Sequence, residues 1–182
     1  MRTMSQSVLI LSASPRKGGN SDLLCDQFMK GAVESGNHVE KISVQDKKIN
    51  FCIGCMTCQT NGGKCGLNDD MGEILEKMIK ADVLVMATPI YFYNMDAQLK
   101  VLIDRTCSRY QEISNKKAYL ITTCADTSET ASDVTIGGFR VFLDCLNNVK
   151  EAGIISAVDV TYVGDIKDKP EMNLAYQMGK SV

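Results

Sequence analysis

The residues best suited to chemistry stand where the apolar run Val8 to Leu11 stops and Ser12-Ala13-Ser14-Pro15-Arg16-Lys17-Gly18-Gly19-Asn20-Ser21 begins. Four apolar β-formers suit a strand covered on both faces, Pro15 and the Gly18-Gly19 pair stop it, and Asn20 or Ser21 is a favoured N-cap for the helical pattern that follows. A helix that starts directly after a strand presents unpaired N–H groups and the positive end of its dipole, which together attract anions. Ser12, Ser14, Arg16, Asn20 and Ser21 add side-chain donors, and the planar Arg16 fork matches phosphate oxygens. An ordinary strand-to-helix turn with surface basic residues is the plainer reading of the same letters.

A second group is Cys52, Cys55, Cys58 and Cys65, spaced C-x2-C-x2-C-x6-C. Thiols this closely spaced let a backbone wrap a compact cofactor, as in the C-x2-C-x2-C runs that ligate iron–sulfur clusters. Gly54, Gly62, Gly63 and Gly66 allow the left-handed angles that wrapping needs. Structural zinc sites more often set two C-x2-C pairs a dozen or more residues apart. Free reduced thiols, or a labile disulfide formed on oxidation, are the competing readings. The other cysteines, Cys25, Cys107, Cys124 and Cys145, read as small buried hydrophobes, with Cys124 the one candidate to face a ligand.

The chain bounds these readings. Its 182 residues suit a single domain over 1–182 with a cysteine-rich insert at about 46–67. A net charge of −2 gives no electrostatic footprint for nucleic acid or an anionic membrane. No apolar run reaches spanning length, and Met1 to Gln6 lacks the apolar core of a signal peptide, so the expected location is the cytoplasm. There thiols stay reduced, which favours metal or redox roles for the eight cysteines over structural disulfides.

Strands and helices alternate along the sequence. Strands are expected at 7–13, His38 to Val44, Ala81 to Thr88, Ala118 to Thr123 and Ile154 to Val163. Helices are expected at 20–35, from about Asn68, at Asn94 to Cys107, at 133–151 and from Asp168, where Pro170 falls in the first turn. Met71, Ile74, Leu75, Met78 and Ile79 form one stripe of the second helix. Five strands alternating with helices imply an α/β doubly wound parallel sheet with helices on both faces. Such sheets bind ligands beyond the carboxyl ends of their strands, near the point where strand order reverses. Three segments meet there: Ser12–Ser21, Thr88-Pro89-Ile90-Tyr91-Phe92-Tyr93-Asn94 and Thr122-Thr123-Cys124-Ala125-Asp126. An anion loop beside a wall of flat rings describes a site for a mononucleotide with a planar ring.

Two familiar phosphate signatures do not fit, because the loop lacks G-x-G-x-x-G and Lys17 precedes the glycine pair instead of following it. The chain instead resembles the NADPH-dependent FMN reductase group of flavodoxin-like proteins, through Ser14-Pro15-Arg16 with Asn20-Ser21, through Thr88-Pro89-Ile90-Tyr91, and through Leu99-Lys100 leading to Asp104-Arg105. The resemblance spans about residues 7–163. It implies strand order 2-1-3-4-5, bound FMN and NAD(P)H as co-substrate. Ser14, Arg16, Asn20 and Ser21 would then hold the phosphate, Pro89 to Phe92 would line the isoalloxazine, and Ser12, Thr88, Thr123 and Cys124 would complete the site. The cysteine run followed by Asp69-Asp70-Met71 is similar to the iron–sulfur flavoproteins of that group, whose motif binds a [4Fe-4S] cluster near FMN.

The function expected is hydride transfer from a nicotinamide to FMN and on to a small or protein acceptor, with the flavin carrying the chemistry and no catalytic side chain needed. A flavodoxin-like electron carrier and a thiol redox sensor are the alternatives; the near-balanced charge speaks against the carrier. A homodimer or homotetramer is expected from the apolar face of 94–107, with Asp104 and Arg105 at its edge. His38 opens an outer strand, far from the site in the topology. Asp69-Asp70 reads as a helix cap, and Lys47-Lys48 and Lys116-Lys117 read as solvated turn charges.

Overall fold

The computed structural model describes residues 5–182; Met1 to Met4, part of the segment read for a signal peptide, lies outside them. The chain runs β1 (Ser7–Ser12), α1 (Asn20–Glu34), β2 (His38–Ser43), the short α2 (Thr57–Thr60), α3 (Met71–Lys80), β3 (Val83–Tyr91), β4 (Asn94–Met95), α4 (Ala97–Arg105), β5 (Ser114–Thr123), α5 (Asp133–Asp144), β6 (Asn147–Ala157) and α6 (Pro170–Lys180). Five parallel strands lie in the order β2-β1-β3-β5-β6, which is the expected 2-1-3-4-5 once the two-residue β4, antiparallel to the end of β3, is set aside. Among the described residues no helix is long and apolar enough to cross a membrane.

Period-two alternation builds both faces. Leu9, Leu11, Leu84, Met86, Ala118 and Leu120 turn one way, onto the Met71, Ile74, Leu75 and Met78 stripe of α3, Leu99 and Leu102 of α4, and Phe139 and Phe142 of α5. Val8, Ile10, Val83, Val85, Tyr119 and Ile121 turn the other way, onto Leu24, Cys25 and Phe28 of α1 and Ala175 of α6. The central strands therefore carry no polar face, which is why they read as continuous apolar runs.

Expected boundaries move by a few residues at α3, β3, α4 and β5, and further at two elements. The helix expected at 133–151 ends at Asp144, and the strand expected at Ile154 to Val163 is β6, Asn147–Ala157. β6 is an edge strand, and its first half, which includes Asn147, Asn148, Lys150 and Glu151, is largely exposed and polar, so it carries no apolar signal. Val160 to Val163, apolar enough to suggest strand, instead form a loop that returns to the carboxyl end of the sheet; Val160 N–H donates to the Cys124 carbonyl. Lys116, expected in solvent, is buried and donates to the Ile79 and Ala81 carbonyls.

Helix α1, which carries the anion loop at its start, is fixed against α6 by two glycines. A Cβ on Gly179 would lie 2.0 Å from the Phe28 carbonyl oxygen, and one on Gly31 would lie 2.1 Å from that of Tyr176. Both helices approach backbone to backbone, and nothing flexible is there to yield. Gly179→Ala is therefore expected to destabilise the protein by about 1–3 kcal/mol or more, the scale of core overpacking. Urea unfolding checks this, and an unchanged midpoint would contradict the close approach.

Candidate functional site

At the switch point β1 and β3 diverge toward their following segments, with the Ala13 N–H bonded to the Ala87 carbonyl at 2.8 Å. Directly beyond lies a cleft of about 170 Å³ lined by Ser14, Arg16, Gly19, Asn20 and Ser21 from the first loop, Pro89, Ile90 and Tyr91 from the end of β3, and Thr123, Ala125, Val160 and Thr161 from the far side. Enclosed small-molecule sites are usually about 300–1,000 Å³. A volume this size is too small to enclose a whole mononucleotide and matches no more than its polar tail.

The loop is shaped by local chemistry. Gly18 is left-handed at φ 65°, and Gly19 caps α1 with extended angles. A Cβ on Gly19 would lie 2.9 Å from the Arg16 carbonyl oxygen and 3.2 Å from Ser14 Oγ, so this corner admits only glycine without a shift. Asn20 and Ser21 are thus the first residues of the helix and not its cap. The first intrahelical bond runs from Leu23 N–H to the Gly19 carbonyl, so the N–H groups of Asn20, Ser21 and Asp22 precede the helical ladder at the cleft. Ser14 Oγ accepts from Arg16 N–H at 3.2 Å, and Arg16 Nη1 donates to the Thr161 carbonyl at 3.0 Å.

Not every expected residue faces the cleft. The Ser12 hydroxyl points beneath the loop and donates to Asp22 at 2.9 Å. The Asn20 amide ties down the returning loop: Nδ2 donates to the Tyr162 carbonyl, and Oδ1 accepts from Gly164 N–H. Thr88 is fully buried; its hydroxyl donates to the Pro89 carbonyl and accepts from Asp96 N–H. Cys124 is buried with its sulfur accepting from Asp126 N–H at 3.4 Å, outside the lining. Ala125, from the third expected segment, lines the cleft in place of Cys124, and Val160 and Thr161 line it without having been expected there. Reading 154–163 as strand hid the last two, because a strand end at Val163 would carry them past the site.

The aromatic segment is a tight hairpin, and Asn94, expected to open a helix, belongs to β4, so that α4 starts at Ala97. Tyr91 pairs with Asn94 across Phe92 and Tyr93, whose φ values are 50° and 62°. Two left-handed residues are what a type I′ turn requires, but bulky side chains are poor occupants. Strain of this kind is held in place by surrounding contacts. Here Tyr93 OH donates to Asp126 at 2.6 Å, while Phe92 is fully exposed and makes no part of the lining. Asp96 anchors the other end: its Oδ1 accepts from Leu99 N–H at 2.9 Å, capping α4, and its Oδ2 is buried without a partner. Burial raises the Asp96 carboxyl to about 6.

The cysteine insert is clasped at its base. Arg105, expected at an outer edge, is 3% exposed and makes a two-pronged pair with Asp69, Nη1 to Oδ2 at 2.7 Å and Nη2 to Oδ1 at 2.9 Å. It also donates to the Asn50 carbonyl and, at 3.4 Å, to Cys65 Sγ. Burial pushes the Asp69 carboxyl up, but the guanidinium and the N–H groups of Asn50 and Met71 hold it well below the usual carboxylate range. Asp69 is therefore an ion-pair partner as well as a turn acceptor, and Asp70 caps α3 without a side-chain bond to the helix, its Oδ2 instead accepting from Lys48 N–H at 2.7 Å.

Cys52 and Cys55 are exposed, Cys58 and Cys65 half-buried, and Gly54, Met56, Gly62 and Gly63 left-handed. Thr57 lowers the Cys55 thiol by hydrogen bonding. Cys107 and Cys145, expected to be buried, are exposed. Among the described residues no three His, Cys, Asp or Glu side chains are gathered closely enough to hold an ion. The four thiols thus fit an iron–sulfur cluster by donor chemistry and loop conformation, not by preformed geometry. A larger cavity, about 720 Å³, lies against this insert, but its Arg109 is already paired with Glu76 and Glu112. It offers no counterpart of the first loop.

A doubly wound sheet with a glycine corner after β1 and an aromatic hairpin at the end of β3 is the arrangement expected of a mononucleotide site. The NADPH-dependent FMN reductase family model matches residues 6–135, and the chain belongs to that family. It is 44% identical over 99 residues to iron-sulfur flavoprotein MJ1083 of Methanocaldococcus jannaschii, covering 54% of this chain and 51% of that protein. It is 36% identical over 96 residues to an iron-sulfur flavoprotein of Methanosarcina thermophila, covering 53% and 50%. The chain spans about half the length of the curated relatives it matches. Its fold matches that of an NAD(P)H:quinone oxidoreductase from Methanothermobacter marburgensis with a TM-score of 0.76 at 19% identity, over 97% of this chain and 96% of the other.

The buried Asp96 carboxyl gives a test with a definite sign. Because its folded value lies above the ordinary 3.8, the native state binds the extra proton, and stability falls as pH rises through 3.8 to about 6. The shift corresponds to at most about 3 kcal/mol. Asn caps as well as Asp but does not ionise. Asp96→Asn is therefore expected to gain on the wild type as pH rises from 4 to 7 in urea unfolding, whatever its offset at pH 4. Parallel pH profiles would contradict a buried carboxyl here.

Proposed function

We propose that the protein is an FMN-dependent NAD(P)H oxidoreductase, with the first-loop cleft as its flavin site. The observation that carries this reading is the juxtaposition of the glycine-cornered anion loop with the Tyr91 hairpin at one strand switch point. The fit is specific at the polar end: the N–H groups at the start of α1, the Ser14 hydroxyl and the Arg16 fork suit a phosphate, and the Gly19 corner leaves room for its close approach. When bound, FMN supplies hydride acceptance at N5 and its redelivery.

The chain's own residues then bind and orient. Ser14, Arg16 and the first turn of α1 hold the phosphate. Ile90 and Tyr91 set the height of the ring, and Pro89 keeps one N–H out of that wall. The open end at Tyr91 and Phe92 admits a nicotinamide and a small oxidant in turn, and stacking supplies the proximity on which hydride transfer depends. No acid or base in the cleft is required. Cys52, Cys55, Cys58 and Cys65 would hold a [4Fe-4S] cluster, supplying one-electron exchange with an acceptor, as the names of the iron-sulfur flavoprotein relatives suggest. We further propose a cytoplasmic location and a homodimer or homotetramer formed through the apolar face of 94–107.

Arg16→Ala is expected to weaken FMN binding by about 1.5–3 kcal/mol, the range of a charged hydrogen bond; unchanged affinity in a fluorescence titration would remove Arg16 from the site. FMN-loaded protein is expected to oxidise NADH or NADPH steadily with a quinone or free flavin as acceptor. Reduction only by a partner protein would favour a carrier instead. Anaerobically isolated protein is expected to contain iron and acid-labile sulfide, with Cys55→Ala losing both but keeping flavin. Iron-free wild type would end the cluster reading and leave the flavin reading intact.

A further inference from the structure

Beneath the anion loop, on the side away from the cleft, Asp22 and Lys41 form an ion pair that no step above uses. Asp22 stands in the first turn of α1. Its Oδ2 accepts from the Gly18 N–H at 3.0 Å, and its Oδ1 accepts from the Ser12 hydroxyl at 2.9 Å and from Lys41 Nζ at 3.0 Å. The two side chains are 14% and 21% exposed. Lys41 comes from β2, the edge strand beside β1, and also pairs with Asp26 one turn further along α1.

Two effects follow. The carboxylate fixes the left-handed Gly18 and so the corner that directs Asn20 and Ser21 to the cleft. A negative charge in the first turn also competes for the same helix dipole that an incoming anion needs. Uncompensated, it would repel a phosphate; Lys41, which does not line the cleft, offsets it from behind.

We propose that Asp22 and Lys41 are a positioning pair for the flavin phosphate: Asp22 holds the Gly18 corner, Lys41 neutralises Asp22, and together they set the preference for a phosphorylated over an unphosphorylated flavin. This rests on the FMN reading above. Lys41 acts through Asp22 and touches no ligand, so its effect is confined to anionic ligands.

The test is a fluorescence titration of flavin-free protein with FMN and with riboflavin, for wild type, Lys41→Gln, Lys41→Arg, Asp22→Asn and the Asp22→Asn/Lys41→Gln double variant. Wild type is expected to prefer FMN. Lys41→Gln is expected to weaken FMN about tenfold, the scale of charge effects at helix ends, with riboflavin unchanged. Lys41→Arg should preserve FMN binding, and the double variant should recover most of it: the first-turn charge is gone, the amide oxygen at position 22 can still accept from the Gly18 N–H, and only Asp26, one turn further along, is left unpaired. Parallel weakening of both flavins, or no recovery in the double variant, would overturn the pair's role while leaving the FMN site standing. If Lys41→Gln does not fold, Asp22→Asn alone decides, because the amide oxygen can keep the Gly18 N–H bond with the charge removed: a higher FMN-to-riboflavin ratio supports the proposal, and an equal or lower one overturns it. Wild type that binds both flavins equally would overturn the phosphate site itself, and the pair's role with it.

Discussion

The corner at Gly18 and Gly19 is the constraint on which the site depends. A strand must stop, reverse and become a helix within a few residues while leaving the first N–H groups of that helix facing a common point. One glycine supplies the left-handed angle, and the other leaves out a Cβ that would press on the Arg16 carbonyl. The corner stays in place because α1 behind it is locked to α6 by Gly31 and Gly179, and because the Asp22 carboxylate holds the Gly18 N–H. Backbone geometry, more than any single side chain, shapes the proposed anion site.

Helix α4 links that site to the thiol insert. Its start is capped by Asp96, whose N–H bonds Thr88 at the root of the aromatic hairpin. Its end carries Arg105, which grips Asn50 and Asp69 at the two ends of the insert and reaches Cys65. A buried pair of this kind adds little net stability, since desolvation offsets the Coulomb gain, but removing one partner is costly. Its role here is placement: a connection that runs from β2 to α3 without a long helix is closed at its neck by one guanidinium, and the cysteines lie between.

Much of this was legible in the sequence where the signal is local. The β1 run, the α3 stripe and the glycine pair each fix their element with neighbours only; alternation gave the parallel doubly wound sheet, and the strand order was what the family resemblance implied. The Phe92-Tyr93 turn was not legible, because bulky residues at left-handed positions contradict the usual turn chemistry and only the β3–β4 pairing and the Tyr93–Asp126 bond impose them. The start of β6 was hidden by its polar, exposed edge. The Arg105–Asp69 clasp joins residues far apart in the chain, and no periodicity marks it. Lys116 looked like a surface turn charge, yet two carbonyls at the end of α3 bury it. In the site, Ser14, Arg16, Asn20, Ser21, Pro89, Ile90, Tyr91 and Thr123 do line one cleft, whereas Ser12 and Thr88 are tied into the scaffold beside it and Cys124 and Phe92 lie outside the lining.

The central claim is spatial: the flavin phosphate sits at the start of α1. The most direct measurement is a crystal structure of the protein grown with FMN. The account predicts phosphate oxygens within hydrogen-bonding distance of Ser14, Arg16 and the Asn20 and Ser21 N–H groups, with the ring against Tyr91. FMN bound elsewhere, or a phosphate directed away from the Gly19 corner, would contradict it.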